Sequence, residues 1–226
     1  MNYKGGQYLD AFVTSAGAYA AGELKGEWLK LPTDRATLQS TFERIGLSGD
    51  SEYFVTSYMS DVPNLAECLG EHENLNELNY LAAKIQEMSQ NGDMERFSSA
   101  LELGKDTNSV KELINLTDNL VHYSLLPEVA DREALGHYTI ENGAYDLETM
   151  GELVDYIDYE ALGRDVQINE GGIFTERGYV MRDQGSITEY YESVEDIPQE
   201  YLVTPDMTET ATETMVETAA ETMMMG

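Results

Sequence analysis

Basic residues are the scarcest chemistry in this sequence. Thirteen Lys and Arg stand against forty-three Asp and Glu over 226 residues, a formal net charge of −30. Such an anionic chain is repelled by nucleic acid and by anionic membranes, so direct binding to either is not expected. A single cysteine, Cys68, rules out an internal disulfide and fits a reducing cytosol. The first ten residues lack the apolar run of a signal peptide, and no stretch nears the roughly 18 apolar residues of a membrane span. These features lead to the expectation of a cytoplasmic protein. Nucleotide signatures are missing too: there is no G-x-x-x-x-G-K-[ST] and no strand-linked G-x-G-x-x-G.

What is present is enough to fold. Disordered acidic chains reach high charge by giving up apolar residues, whereas 42% of this chain is hydrophobic, with fifteen Tyr and five Phe. Residues 8–31 read as two strands around a Gly17-to-Gly22 turn, ending at Pro32. Thr33-Asp34 caps a helix carrying Leu38, Phe42 and Ile45 on one face, and Gly46 stops it; residues 53–58 read as a third strand. Helical spacing then takes over. Leu78, Leu81, Ile85 and Met88 follow an Asn74 cap, Met94 to Leu103 form a second helix, and Val110, Leu113, Leu116 and Leu120 follow Ser109. "NLNELNYLA" at 74–82 and "SVKELINLT" at 109–117 form a faint repeat.

Beyond Asp131 a helix is expected to Asn142, ended by Gly143, and a second from Leu147 to Ile157, extending towards Gly163. Strands are expected at 165–168, 172–175 and 179–181, with "NEGG" at 169–172 as a hairpin turn. The fold class is thus α+β, arranged as three small units. They comprise an N-terminal α+β domain at 1–70, a helical domain at 71–130 and a C-terminal α+β domain at 131–202. Residues 203–226, rich in Thr, Glu, Ala and Met, read as a disordered acidic tail.

The charge is unevenly placed. No Lys or Arg lies between Arg44 and Lys84, a span holding Asp50, Glu52, Asp61, Glu67, Glu71, Glu73 and Glu77. From Glu112 to Glu160 twelve acids face Arg132 alone, and after Arg182 come eleven acids and no base. One such run is ordinarily a solvated face. Three runs depart from the interleaved signs of common soluble surfaces. Removing the five acids after Pro205 takes the charge from −30 to −25. At one charge per 1.7 Å, that equals roughly 40 Å of duplex DNA, and a two-fold dimer would offer about twice as much.

Catalytic groupings are weak. Cys68 and His72 stand four apart without an orienting third group, so a core or helix-face cysteine is expected. His122 and His137 lack ligand-spaced partners and read as surface or capping residues. Asp155, Asp158 and Glu160 would allow oxygen ligation of a hard cation, yet no EF-hand loop surrounds them. Neither a metal nor a cofactor is expected. Tyr156, Tyr159, Tyr190 and Tyr191 sit among acids and suit a dimer or partner contact, with at least half expected in the core. Trp28 is expected in the core. Arg164 is expected to pair with carboxylates at a helix end.

Three segments resemble the ArdA family of antirestriction proteins: "AFVTSAGAYAAGELKGEWLKLP" at 11–32, "ENLNELNYLA" at 73–82 and "VDYIDYEALGRDVQINEGGIFTERGYV" at 154–180. The resemblance spans about residues 10–200. Ala20-Ala21 replaces a more polar pair usual in the family, and the Thr/Glu/Met tail lies outside its pattern.

The resemblance implies an elongated, three-part, non-enzymatic DNA mimic, carried by mobile elements, that dimerises through its C-terminal part. It would occupy the DNA-binding groove of type I restriction–modification enzymes. Asp61, Glu67, Glu71, Glu73, Glu77, Glu141, Asp146, Glu148, Glu152, Asp155, Asp158 and Glu160 are the expected phosphate surrogates, and Tyr156 and Tyr159 the candidate dimer contacts. Three alternatives remain at this point. They are a mimic aimed at another defence nuclease such as a CRISPR effector, an acidic chaperone-like binder of basic proteins, and a hydrolase using paired carboxylates.

Overall fold

Strand β1 (Leu9–Ser15) organises the N-terminal part, because Leu9, Ala11 and Val13 point to one side and are fully buried. A computed structural model describes Gly6 and residues 8–47, 52–144 and 147–204. At the end of β1 the Ser15 hydroxyl accepts the Ala18 N–H and starts a short helix α1 (Ala16–Ala20), where a turn was expected. Strand β2 (Gly26–Leu31) returns antiparallel to β1. Helix α2 (Arg35–Ile45) follows, its first turn capped by Asp34, whose carboxylate accepts the Thr37 N–H at 2.8 Å. Strand β3 (Tyr53–Met59) completes a sheet of order β2-β1-β3. Trp28 is not a core residue. On β2 Leu29 and Leu31 face inward, so Trp28 and Lys30 face outward, and Trp28 is 39% exposed with Phe12 set edge-on at 5.2 Å.

Three helices follow as their caps dictate: α3 (Leu75–Asn91) after Asn74, α4 (Met94–Leu103), and α5 (Val110–Asp118) after Ser109. Their apolar stripes join the sheet in one continuous core from Leu9 through Leu78, Leu81, Ile85, Leu113 and Leu116 to Val203. Each fully buried Leu contributes about 1.5–3 kcal/mol relative to exposure. The packing therefore crosses from the N-terminal sheet into the helices without a gap between buried side chains.

A second sheet of order β4-β6-β5 is built from β4 (Tyr123–Leu126), β5 (Ile173–Thr175) and β6 (Gly178–Arg182). β4 was not anticipated from sequence. Between β4 and β5 lie α6 (Arg132–Thr139), a wide helical turn over Ile140–Ala144, α7 (Leu147–Met150), a 3-10 helix Gly151–Tyr156, and α8 (Tyr159–Glu170). The strand expected at 165–168 is instead the last part of α8. Asp158 caps that helix, and Val166 packs on the small cluster of Val129, Leu135 and Tyr179 while Ile168 is 69% exposed. Nor is "NEGG" the hairpin turn: Gly171, at φ 65°, ends α8, and the chain reverses at Glu176-Arg177 between β5 and β6.

Helices α6 and α8 cross at backbone contact. A methyl group on Gly136 would overlap the Tyr159 carbonyl, and one on Gly163 would overlap the Arg132 carbonyl. After β6 the chain from Asp183 to Thr204 runs back over α5 and α3 as a strap. Val203 and Thr204, expected to begin a disordered tail, are held: Val203 is buried, and Asn76 Oδ1 accepts both their N–H groups. The remaining tail lies outside the described residues. Among the described residues, no helix is long and apolar enough to cross a membrane.

Candidate acidic binding surface

The bases of this chain are largely consumed by nearby acids. Lys25 pairs with Glu23, Arg44 with Glu27, Lys84 with Asp118, Arg96 with Asp93 and Lys111 with Glu189. Arg177 pairs with Glu102, and Arg182 Nε lies 3.0 Å from Asp106. Arg164 bonds its neighbour Asp165 in the middle of α8, not at a helix end, and Arg132 donates to the neutral Gln167.

These pairings leave a bare stretch. Among the described residues, Glu67, Glu71, Glu141, Glu152, Asp155 and Glu160 form no ion pair, and all are exposed. Local backbone fixes where several of them point. Glu152 and Asp155 are three apart on the 3-10 helix, so they share a face about 6 Å apart along its axis. Glu160 lies in the first turn of α8, where the helix dipole stabilises a carboxylate, and Asp158 accepts the Ala161 N–H at 2.9 Å. The close α6–α8 crossing fixes the start of α8, which carries Glu160, and the 3-10 helix with Glu152 and Asp155 leads directly into it. Glu141 follows α6 directly on the wide turn.

Other expected site residues have structural engagements. Glu73 accepts the Gly70 N–H at 2.9 Å, and Glu77 accepts the Tyr191 hydroxyl at 2.7 Å. Burial, then that carboxylate, pushes the Tyr191 phenol well above its ordinary range. Asp61 is exposed just beyond β3. Asp146 and the Glu148 side chain lie outside the described residues. Tyr156 is 85% exposed and Leu153, three residues before it, 66%. Tyr159 instead stacks on His137, ring centres 3.7 Å apart, inside the α6–α8 pair. Tyr191 is buried and Tyr190 is 64% exposed.

The strap adds acids whose fixed placement sequence reasoning missed: Glu189, Glu192, Glu195, Asp196 and Glu200, all exposed. The signal was available in Asn76, Asn79, Asn115 and Asn119, asparagines set among the apolar positions of the helices that the strap crosses. Asp196 is held below the usual carboxylate range by the backbone N–H groups of Glu192 and Ser193.

Groups with catalytic potential are scattered. The Cys68 thiol donates to the Asn64 carbonyl and is pushed upward by burial, while His72 lies against Phe54. His122 Nδ1 lies 3.0 Å from Asp183. Among the described residues, no group of three or more His, Cys, Asp or Glu side chains could hold a metal ion.

The fold and this surface define an acidic α+β protein whose distinguishing feature is a set of carboxylates without counter-charges. A sequence model of the antirestriction protein family ArdA matches residues 11–181, so the chain belongs to that family. The match ends before the strap. No curated protein matches the chain.

Proposed function

We propose that this antirestriction protein acts without catalysis, its unpaired carboxylates taking the place of DNA phosphates in the DNA-binding groove of a type I restriction–modification enzyme. The observation that carries the reading is the segment from Glu128 to Glu160, where ten acids meet one base and that base donates to a glutamine. A groove lined with Lys and Arg gains from carboxylates the same counterion release that it gains from phosphates. A folded inhibitor also avoids the cost of bending a duplex to fit. Dimerisation through the 3-10 helix would extend the surface. Leu153 and Tyr156 form an exposed apolar strip beside the acidic strip of Glu152 and Asp155.

The test is competition between this protein and a labelled target duplex for a purified type I enzyme at two salt concentrations. Displacement near stoichiometric amounts, weakening at high salt, is the expected result. No displacement at low salt would remove the type I target. Repeating the assay with a CRISPR effector or another defence nuclease tests the second DNA-mimic reading, and broad binding to histone-like proteins would point to an acidic chaperone.

A further inference from the structure

Tyr190, on the strap, has its backbone fixed and its ring left in solvent. Its N–H donates to Asn115 Oδ1 at 2.8 Å, and the next residue, Tyr191, turns into the core. Tyr190 itself is 64% exposed. Among the described residues no second aromatic ring packs on it and no cation lies over its face. The strap from Asp183 to Thr204 holds six acids and no Lys or Arg. Lys111 takes Glu189, His122 takes Asp183, and Asp196 accepts the Glu192 and Ser193 N–H groups. Glu192, two residues beyond Tyr190, is exposed and forms no ion pair among the described residues. Charge alone would fit any solvated face; the exposed ring distinguishes this one.

The body of the protein shows how such a ring takes a base. Lys84 Nζ lies 5.3 Å from the centre of the Tyr80 ring, and both oxygens of Asp118 accept from it at 2.7 Å. A tyrosine face and a carboxylate thus hold one cation together. Tyr190 and Glu192, exposed on either side of buried Tyr191, present the same two groups to solvent.

We propose that Tyr190, with Glu192 beside it, anchors an arginine of the partner's basic groove, so that the strap is a second contact surface of this inhibitor. The inference rests on the proposed function and adds to it a residue that acts through its ring and not through charge. Arginine fits better than lysine, because a planar guanidinium stacks on a ring while its edge donates to a carboxylate. Asn115 has already ordered the Tyr190 backbone, which lowers the entropy lost on binding. The site lies outside residues 11–181, the stretch that matches the family.

The experiment is the duplex competition with a purified type I enzyme, run with the full chain and with Tyr190→Leu, Tyr190→Phe and Glu192→Gln. Tyr190→Leu keeps an apolar side chain and every charge but loses the ring. It should weaken competition by about 2- to 30-fold with the salt dependence unchanged, since no phosphate surrogate is removed. Tyr190→Phe restores a ring and should regain most of that loss. Glu192→Gln should also weaken competition, with a shallower salt dependence. Sedimentation of the full chain and of Tyr190→Leu at the assay concentration separates contact with the enzyme from contact between copies. Equal competition by Tyr190→Leu and the unaltered chain overturns the inference and leaves the proposed function standing. An equal loss in Tyr190→Leu and Tyr190→Phe also overturns it, assigning the effect to the hydroxyl. A changed sedimentation does the same, assigning the ring to a second copy. No displacement by the unaltered chain overturns both readings.

Discussion

The Asn115 side chain pairs with the backbone of Tyr191 as a neighbouring β-strand would. Its Oδ1 accepts the Tyr191 N–H at 3.0 Å, and its Nδ2 donates to the Tyr191 carbonyl at 2.8 Å. One helical turn later Asn119 repeats the pattern on Thr188, at 3.0 and 2.9 Å. Asn79 takes the Tyr201 carbonyl at 3.0 Å. An asparagine amide has the donor and acceptor of a peptide group, so helices α5 and α3 can hold an extended segment without a further strand.

Asn115→Ala would leave the Tyr191 N–H and carbonyl unpaired in a buried setting, at a cost of about 1–3 kcal/mol. The denaturation midpoint should fall, and amide exchange should accelerate most at Thr188, Tyr190 and Tyr191. Exchange that speeds up evenly over the whole chain would show that the strap is not separately anchored.

Gly163→Ala tests the α6–α8 contact. The added methyl meets the Arg132 backbone, which can give way only by separating the helices. Overpacking of this kind costs about 1–3 kcal/mol or more, a fall in melting temperature of about 2–4 °C per kcal/mol for a chain of this size. Gly17→Ala is the control, since its methyl would meet nothing within 4 Å, and its melting temperature should hold or rise. Equal behaviour of the two variants would mean that the helices are not in backbone contact.

The contrast between these positions shows what a sequence discloses. Caps at Asp34, Asn74 and Ser109 were legible because a cap is a local bond between residues two or three apart. The end of α8 was misread because Asp165, Val166, Gln167 and Ile168 alternate as a strand does, and only packing of Val166 on the small cluster shows the helical face. β4 and the strap were illegible for another reason: β4 pairs with distant β6, and the strap bonds to asparagines 69 to 128 residues away. For the acidic surface, the charge runs were visible at once. Which carboxylates remain unpaired depended on tertiary pairs such as Lys84 with Asp118 and Arg177 with Glu102.

High pH should unfold this protein more readily than its carboxylates alone would suggest. Burial raises the phenols of Tyr58, Tyr123, Tyr179 and Tyr191, and nearby carboxylates raise them further. A raised folded-state value means that stability is fully present below the unfolded value of about 10 and is lost as pH climbs through and beyond it. Urea midpoints measured from pH 8 to 11 should drop steeply above 10, and Tyr191→Phe should soften the drop while lowering the midpoint at pH 8, where it removes the bond to Glu77. A flat profile to pH 11 would contradict the assigned burial of these hydroxyls.

The acidic surface should behave as a distributed device. Changing Glu141, Glu152, Asp155 or Glu160 singly to its amide removes one exposed charge, an effect of about 0.2–1 kcal/mol. All four together should cost about 1–4 kcal/mol, or roughly 5- to 1,000-fold in competition for the enzyme groove. The salt dependence of the remaining binding should become shallower, since fewer counterions are exchanged. Stability should move the opposite way. Four fewer charges on a chain of −30 relieve self-repulsion, so the quadruple variant should melt at the same or a higher temperature. Weaker inhibition by a better-folded protein separates lost mimicry from lost structure. Undiminished inhibition by the quadruple variant would move the contact surface away from Glu141–Glu160, to the exposed acids near Glu67 and Glu71 or along the strap.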